Sequence, residues 1–226
     1  MTVTPTGLTR ASGAAAAAAG AIFIGVQINH PHLDATSIQT TEMAVRDTLK
    51  VLMAALALAS ITGMYLSQVR RNGVLGLIGY LVLSAGYLLI MGTAFVAAFV
   101  MPQVASFNPG YANDVIDVTN GRVSSADIGA MVAVNHVQGF AYLAGGLLLG
   151  IALFRARVLA RWATLLLAVG GVITAALTFM PDAFYRVLAF PNGIAMIGLG
   201  ISLWLSQRTA PAAETTTPSV DVVTVR

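Results

Sequence analysis

Twenty-seven consecutive residues without a charged side chain, from Val74 to Val100, constrain this chain more than any other feature. A helix that crosses a bilayer needs about 20 mainly apolar residues, so this run is longer than one crossing requires. Other apolar runs follow along the 226 residues, of which 57% are hydrophobic and 9% are charged. Water-soluble domains carry about 25% charged residues. The chain is therefore predicted to be an integral membrane protein.

The apolar runs predict an all-α, polytopic bundle of six transmembrane helices in a single domain, residues 1–206. The predicted spans are 11–28, 49–69, 74–100, 128–154, 162–180 and 183–205. A cleaved signal peptide is the alternative for 11–28, although its basic region is a single arginine and no clear cleavage site follows. The tail, 207–226, is rich in Pro and Thr and is predicted to be disordered and cytoplasmic.

The third and fourth spans are each about 40 Å long as helices, whereas the hydrocarbon core is about 30 Å thick. We therefore expect their ends to extend beyond the bilayer, with the polar stretch 101–127 folded back on them as a structured extracytoplasmic loop. The apolar contacts of this loop are assigned to Phe107, Tyr111, Val115 and Ile116.

Two sequence patterns predict helix starts. Thr36-x-x-Gln39 is typical of a capping box before the second span, and Ser124-x-x-Asp127 of a cap before the fourth. Lys50 is expected to extend from the second span to the outer surface. The glycines Gly145-Gly146, Gly170-Gly171 and Gly198-x-Gly200 are interpreted as positions of close helix packing.

Basic residues are concentrated at alternate ends of the predicted spans. With six spans and the amino terminus in the cytoplasm, eight arginines and two carboxylates face the cytoplasm, whereas four basic residues and seven carboxylates face outside. Basic residues near span ends accumulate on the cytoplasmic side. We therefore expect both termini inside the cell and a location in the bacterial plasma membrane. The pI near 9.6 then reflects topology and does not indicate nucleic-acid binding.

Three carboxylates of the polar stretch are candidate catalytic residues together with one histidine. Asp114, Asp117 and Asp127 could serve as general acid and base beside His136 if a partly apolar vestibule raised their pKa values. The chain has no cysteine, no serine elbow, no phosphate-binding glycine loop and no HExxH motif. No cofactor is expected, and no carboxylate or lysine is expected in the middle of the membrane.

The three histidines of the chain are candidate metal ligands. His30, His32 and Asp34 follow the first span closely, and His136 is expected at the same, outer side. Imidazole nitrogens suit zinc and copper. The alternative is that the loop histidines are solvated and that His136 hydrogen-bonds to a neighbouring helix.

Polar side chains inside predicted spans are candidate ligand-binding residues. His30, Asn135, His136, Gln138 and Asn192 are expected at similar depth in the outer half of the membrane, between spans one, four and six. The alternative is that they only join helices, with each hydrogen bond contributing about 0.6 kcal/mol.

A sequence resemblance covers most of residues 11–206. The run GLIGYLVLSAGYLL, the basic turn FRARVLARWA and the closing PNGIAMIGLGISLW resemble uncharacterised small multi-pass membrane proteins of high-GC Gram-positive bacteria. This resemblance is hydropathic, and it implies no activity and no functional residue.

These observations leave three hypotheses for function. The favoured one is a non-catalytic membrane protein that binds a lipid or small lipophilic molecule, or a partner subunit, at its outer side. The second is a membrane-embedded enzyme that acts on an isoprenoid-like or lipid substrate through carboxylate acid and base chemistry. The third is a metal-binding protein that uses the outer histidines.

Overall fold

The structure is a computed structural model, and it describes residues 2–177 and 189–207. These residues form α-helices and no strand, which confirms the prediction of an all-α protein. The helices are α1 Pro5–Gly25, α2 Thr41–Leu66, α3 Val69–Phe99, α4 Met101–Phe107, α5 Pro109–Thr119, α6 Met131–Ala156, α7 Arg161–Leu177 and α8 Ala189–Ser206.

Six of these helices pack as a closed ring. α1 contacts α2, α2 contacts α3, α3 contacts α6, α6 contacts α7, α7 contacts α8, and α8 returns to α1. The inward sides share one apolar core, in which Ile61, Leu83, Leu149 and Leu199 are fully buried or nearly so. The ring therefore places each helix beside its neighbours in the chain and closes the last helix onto the first.

The outward surface of the ring is also apolar. Large exposed side chains occur on every part of it and include Leu52, Leu81, Phe95, Phe140 and Trp162. Water-soluble monomers rarely expose continuous apolar surface on this scale. A surface of this kind is compatible with a lipid environment.

Four helices, α1, α2, α3 and α6, are long and apolar enough to cross a membrane. α7 and α8 contribute shorter apolar segments, Arg161–Gly170 and Phe190–Ser206. The predicted spans 162–180 and 183–205 extend into residues outside the described ranges, as does the predicted disordered tail. Six spans therefore stay a prediction, whereas several apolar helices suited to a membrane are observed.

The first two ring helices begin earlier than the apolar runs predicted. Thr4 caps α1 by accepting a 3.1 Å hydrogen bond from the backbone N–H of Gly7, and Pro5 suits the first helical position. Thr40 caps α2 in the same way, through a 3.3 Å bond from Met43. The predicted cap at Thr36 is wrong, because that side chain makes no capping bond and precedes a 3-10 turn, Ser37–Gln39.

The predicted start of the third span agrees with the start of the continuous part of α3. A kink at Gly73, whose φ is +58°, separates one turn of α3 from the continuous helix that follows. Glycine adopts this left-handed conformation without the steric cost that other residues meet. The continuous part of α3 therefore begins at Val74, as predicted, and α3 ends at Phe99.

Glycines allow the ring helices to approach closely. A Cβ at Gly13 of α1 would lie 2.7 Å from the carbonyl oxygen of Gly200 in α8. A Cβ at Gly145 of α6 would meet the backbone of Leu83 in α3. The close-packing interpretation of Gly145 and Gly200 is confirmed.

The segment between α3 and α6 folds against the ring. Together with the 3-10 turn Ser37–Gln39, α4 and α5 form a compact unit that we call the cap. The cap has a small apolar core of its own, formed by Ala35, Ile38, Met101, Ala105, Ala112, Val115, Ile116 and Ile128. The polar stretch is therefore structured, and it packs against α3 and α6.

The expected contacts of the cap are only partly correct. Val115 and Ile116 are each 6% exposed, and Tyr111 packs against them partly buried, whereas Phe107 is 81% exposed. α4 ends at Phe107, so this side chain projects from the end of a short helix instead of facing the core.

The predicted start of α6 is also wrong. Ile128 joins the cap core, and the helix begins only at Met131. Asp127 accepts a 2.7 Å hydrogen bond from the backbone N–H of Gly129, so it stabilises the preceding turn and does not cap the helix.

Candidate functional site

A pocket of about 180 Å³ lies between the cap and the ring. Most of its wall is apolar and comes from α3, the cap and the start of α6, including Ile90, Ala94, Met101, Ile116 and Met131. An apolar cavity of about 150 Å³ holds a benzene ring, whereas sites for drug-sized ligands are about 300–1,000 Å³. The pocket is therefore of a size that suits a small molecule with a single ring.

An ion pair forms one polar part of the wall. Lys50 Nζ lies 2.7 Å from Asp47 Oδ1, and both residues line the pocket. They are three residues apart on α2, a spacing that places both side chains on the same side of a helix. The Asp47 side chain is 4% exposed and that of Lys50 is 24% exposed. Pairing offsets part of the cost of removing these charges from water.

A second polar contact joins two helices beside the pocket. The hydroxyl of Thr93 in α3 donates a 2.8 Å hydrogen bond to the side-chain oxygen of Gln138 in α6, and both residues line the pocket. Gln138 was a predicted ligand-binding residue, and it is also interhelical, as the alternative interpretation held. The interhelical contact is therefore observed, whereas ligand binding by Gln138 stays a prediction.

The other predicted ligand-binding residues lie elsewhere. Asn192 is buried and lines a separate cavity of about 10 Å³ with Tyr87 and Tyr142. Asn135 donates a 2.9 Å hydrogen bond to the carbonyl of Met131 one turn earlier in α6. The structure therefore does not gather the predicted set into one pocket.

The two predicted histidines of this set also lie outside the pocket. His136 is exposed, and His30 is partly buried in the loop after α1, where its Nδ1 lies 2.9 Å from the carbonyl of Pro31. His136 and Gln138 are two residues apart, which is roughly 200° around a helix, so they project in nearly opposite directions. The prediction considered only depth along the helix, whereas the two side chains lie on different faces of α6.

The candidate catalytic carboxylates make local contacts in α5 and the loop that follows it. Asp114 Oδ1 accepts hydrogen bonds from Ser125 through its backbone N–H, at 2.6 Å, and its hydroxyl, at 2.8 Å. Asp117 pairs with Arg122 at 3.1 Å. The hydrogen bond from the Ser125 hydroxyl, followed by that from its N–H, lowers the pKa of Asp114. A general acid at neutral pH needs a raised pKa, so this shift is in the opposite direction.

The candidate metal ligands do not form a metal-binding group. Asp34 accepts hydrogen bonds from the N–H groups of Ser37, at 2.7 Å, and Thr36, at 2.8 Å, which begin the 3-10 turn. The bond from Ser37 is the main cause of the lowered pKa of Asp34. His32 is exposed. Among residues 2–177 and 189–207, no three His, Asp or Glu side chains gather as a group that could hold a metal ion.

The residues that distinguish the pocket were not identified from sequence. Asp47 lies before the predicted second span, and Lys50 was expected to extend to the outer surface. α2 begins at Thr41, so both lie in its first turns beneath the cap. Their three-residue spacing on a helix was the available signal, but it does not reveal the helices that surround them.

The arrangement can bind a molecule that has an apolar body and a polar group. Apolar walls remove the body from water, and a few fixed polar groups determine orientation and specificity. The chain matches no protein-family model, no curated protein and no solved structure.

Proposed function

We propose that this chain is a non-catalytic, multi-pass protein of the bacterial plasma membrane that binds a small lipophilic molecule carrying a polar group. The site is the pocket between the cap and the ring. One observation carries the proposal: a mainly apolar pocket contains the ion pair of Asp47 and Lys50 in its wall. Burial of the Asp47 charge is costly even when Lys50 pairs with it, so this pair beside an apolar space favours a functional interpretation.

The proposed topology has six spans, both termini in the cytoplasm and the cap outside. Its support is the distribution of charge at the two ends of the ring. Arg70 and Arg71 lie in the first turn of α3, directly after the end of α2, and Arg155 and Arg157 lie at the end of α6. These turns are at the opposite ends of α3 and α6 from the cap. The excess of arginine there favours a cytoplasmic location for that end.

Methionine methyl groups provide a direct test, because Met101 and Met131 line the pocket. The protein would be labelled with ¹³C at the methionine methyls, reconstituted in lipid nanodiscs and titrated with 4-methylphenol. A ring of this size buries about 160 Å² and gains about 4 kcal/mol, which corresponds to a Kd of about 1 mM or weaker. We expect saturable shifts at Met101 and Met131.

Met64 is the internal control, because it is fully buried in the ring core and does not line the pocket. Ala97→Phe fills the pocket and should abolish the shifts, whereas Ala133→Phe on the exposed side of α6 should preserve them. Equal, unsaturable shifts at all three methionines would show partition into lipid only and would contradict the proposal.

A further inference from the structure

We propose that the ligand of this pocket carries a hydroxyl group that hydrogen-bonds to both Asp47 and Lys50. This inference rests on the proposed function and names the chemical class of the ligand. The ion pair has no net charge, and each partner has hydrogen-bonding capacity beyond the contact between them. The ligand is therefore a neutral, hydroxylated lipophile of about one ring.

The unused capacity follows from the contacts of the pair. Within the described residues, Lys50 Nζ donates one hydrogen bond, to Asp47 Oδ1, at 2.7 Å. An ammonium group has three N–H donors, and a carboxylate has two oxygens that accept. The pair therefore presents both a donor and an acceptor to a molecule in the pocket.

A hydroxyl group fits this pair better than other polar groups. It donates to the carboxylate of Asp47 and accepts from the ammonium of Lys50 with the same oxygen. A carbonyl group only accepts hydrogen bonds, so it offers no donor to the carboxylate of Asp47. An anionic group is repelled by Asp47, and a cationic group by Lys50.

The apolar walls specify the rest of the molecule. Ile90 and Ala94 of α3 lie on one side of the space, and Val115 and Ile116 of the cap lie on another. These walls carry no charge, so Asp47 and Lys50 are the charged residues among those that line the pocket. A ring with a single hydroxyl group matches both the volume and this distribution of polarity.

The test compares 4-methylphenol with 1,4-dimethylbenzene, which replaces the hydroxyl by a methyl group of similar shape. Lys50 is the single lysine in the chain, so ¹³Cε labelling of lysine gives one resonance without further assignment. We expect 4-methylphenol to shift Lys50 and Met131 with the same Kd. We expect 1,4-dimethylbenzene to bind at least about tenfold more weakly, because hydrogen bonds to charged groups contribute more than neutral ones.

A double variant tests the role of the pair. Asp47→Leu with Lys50→Leu removes both charges and leaves neither unpaired, and it should abolish the preference for 4-methylphenol at Met131. Asp117→Leu with Arg122→Leu is the matched control, because it removes an exposed ion pair of the cap outside the pocket. The control should retain the preference.

The outcomes separate this inference from the proposed function. Equal binding of both probes at Met131, or a Met131 shift without a Lys50 shift, overturns the hydroxyl assignment and leaves the lipophile site standing. Retained preference in the Asp47→Leu, Lys50→Leu variant also overturns it. If neither probe shifts Met101 or Met131 in the wild-type protein, both the inference and the proposed function are wrong.

Discussion

The side-chain oxygen of Asn113 accepts a 2.7 Å hydrogen bond from the backbone N–H of Ala35. The bond joins α5 to the segment before α2, 78 residues away in the chain. Ala35 and Ile38 are buried in the cap core, and Ile38 also lines the pocket. The contact therefore fixes one wall of the pocket to another.

Asn113→Ala should loosen this connection. The variant removes one hydrogen bond and leaves the N–H of Ala35 without that partner, at a cost of about 1 kcal/mol or somewhat more. We expect faster amide hydrogen exchange between Ala35 and Ile38. Asn120→Ala is the control, because the Asn120 side chain makes no hydrogen bond to any other residue that the structure describes. Equal exchange in both variants would contradict the assigned role.

Acidification should weaken the cap at Asp114. Its folded-state pKa is below the ordinary value, because Ser125 donates two hydrogen bonds to it. The resulting stabilisation is fully present above the ordinary pKa, about 3.9, and is lost as the pH falls through the lowered folded-state value. The backbone N–H resonance of Ser125 should therefore shift below about pH 4. If an Asp114→Asn variant showed the same titration of Ser125, the shift would arise from another group and the prediction would be wrong.

Gly145→Ala should destabilise the ring. A Cβ at this position would overlap the backbone of Leu83, and overpacking of this kind costs about 1–3 kcal/mol. Gly139→Ala in the same helix is the control, because a Cβ there would meet nothing within 4 Å. Alanine favours helix over glycine by up to about 1 kcal/mol, so the control should be neutral or stabilising. Thermal denaturation in detergent distinguishes the two variants, and comparable losses in both would contradict the packing.

The apolar runs predicted the helical fold well, and the reason is physical. In an apolar environment, the backbone N–H and C=O groups of a long uncharged run such as 74–100 must hydrogen-bond to one another. Only a helix makes all of these bonds within a single segment. Helix starts were predicted less well, because Thr4 and Thr40 extend α1 and α2 into polar sequence that hydropathy assigns to loops.

The residues of the candidate pocket were predicted only in part. The sequence suggested how deep a side chain lies along its helix, but it did not show which face of the helix carries that side chain. Gln138 lines the pocket, whereas His136 is exposed on another face of α6. Asp114 was identified as a polar cap residue, but its two bonds to Ser125 depend on how the loop folds. Asp47 and Lys50 were missed because their surroundings come from α3, α5 and α6, which no local pattern around α2 reveals.

Cysteine labelling in intact cells tests the proposed topology. The chain has no cysteine, and Ser106 in α4 and Ser67 after α2 are both exposed. With the cap outside, an impermeant maleimide should label the Ser106→Cys variant and leave Ser67→Cys unlabelled until the cells are lysed. Labelling of Ser67→Cys alone would reverse the orientation assigned from the arginines.

The most direct test of the pocket as a ligand site is an anomalous diffraction map of crystals soaked with 4-bromophenol. The bromine identifies the probe independently of water or lipid density, and the probe has the ring and hydroxyl that the pocket is proposed to accept. We predict one strong bromine peak among Ile90, Val115 and Met131, with the phenol oxygen directed toward Asp47 and Lys50. A bromine peak confined to the outer surface of the ring, with none between the cap and α3, would contradict the account.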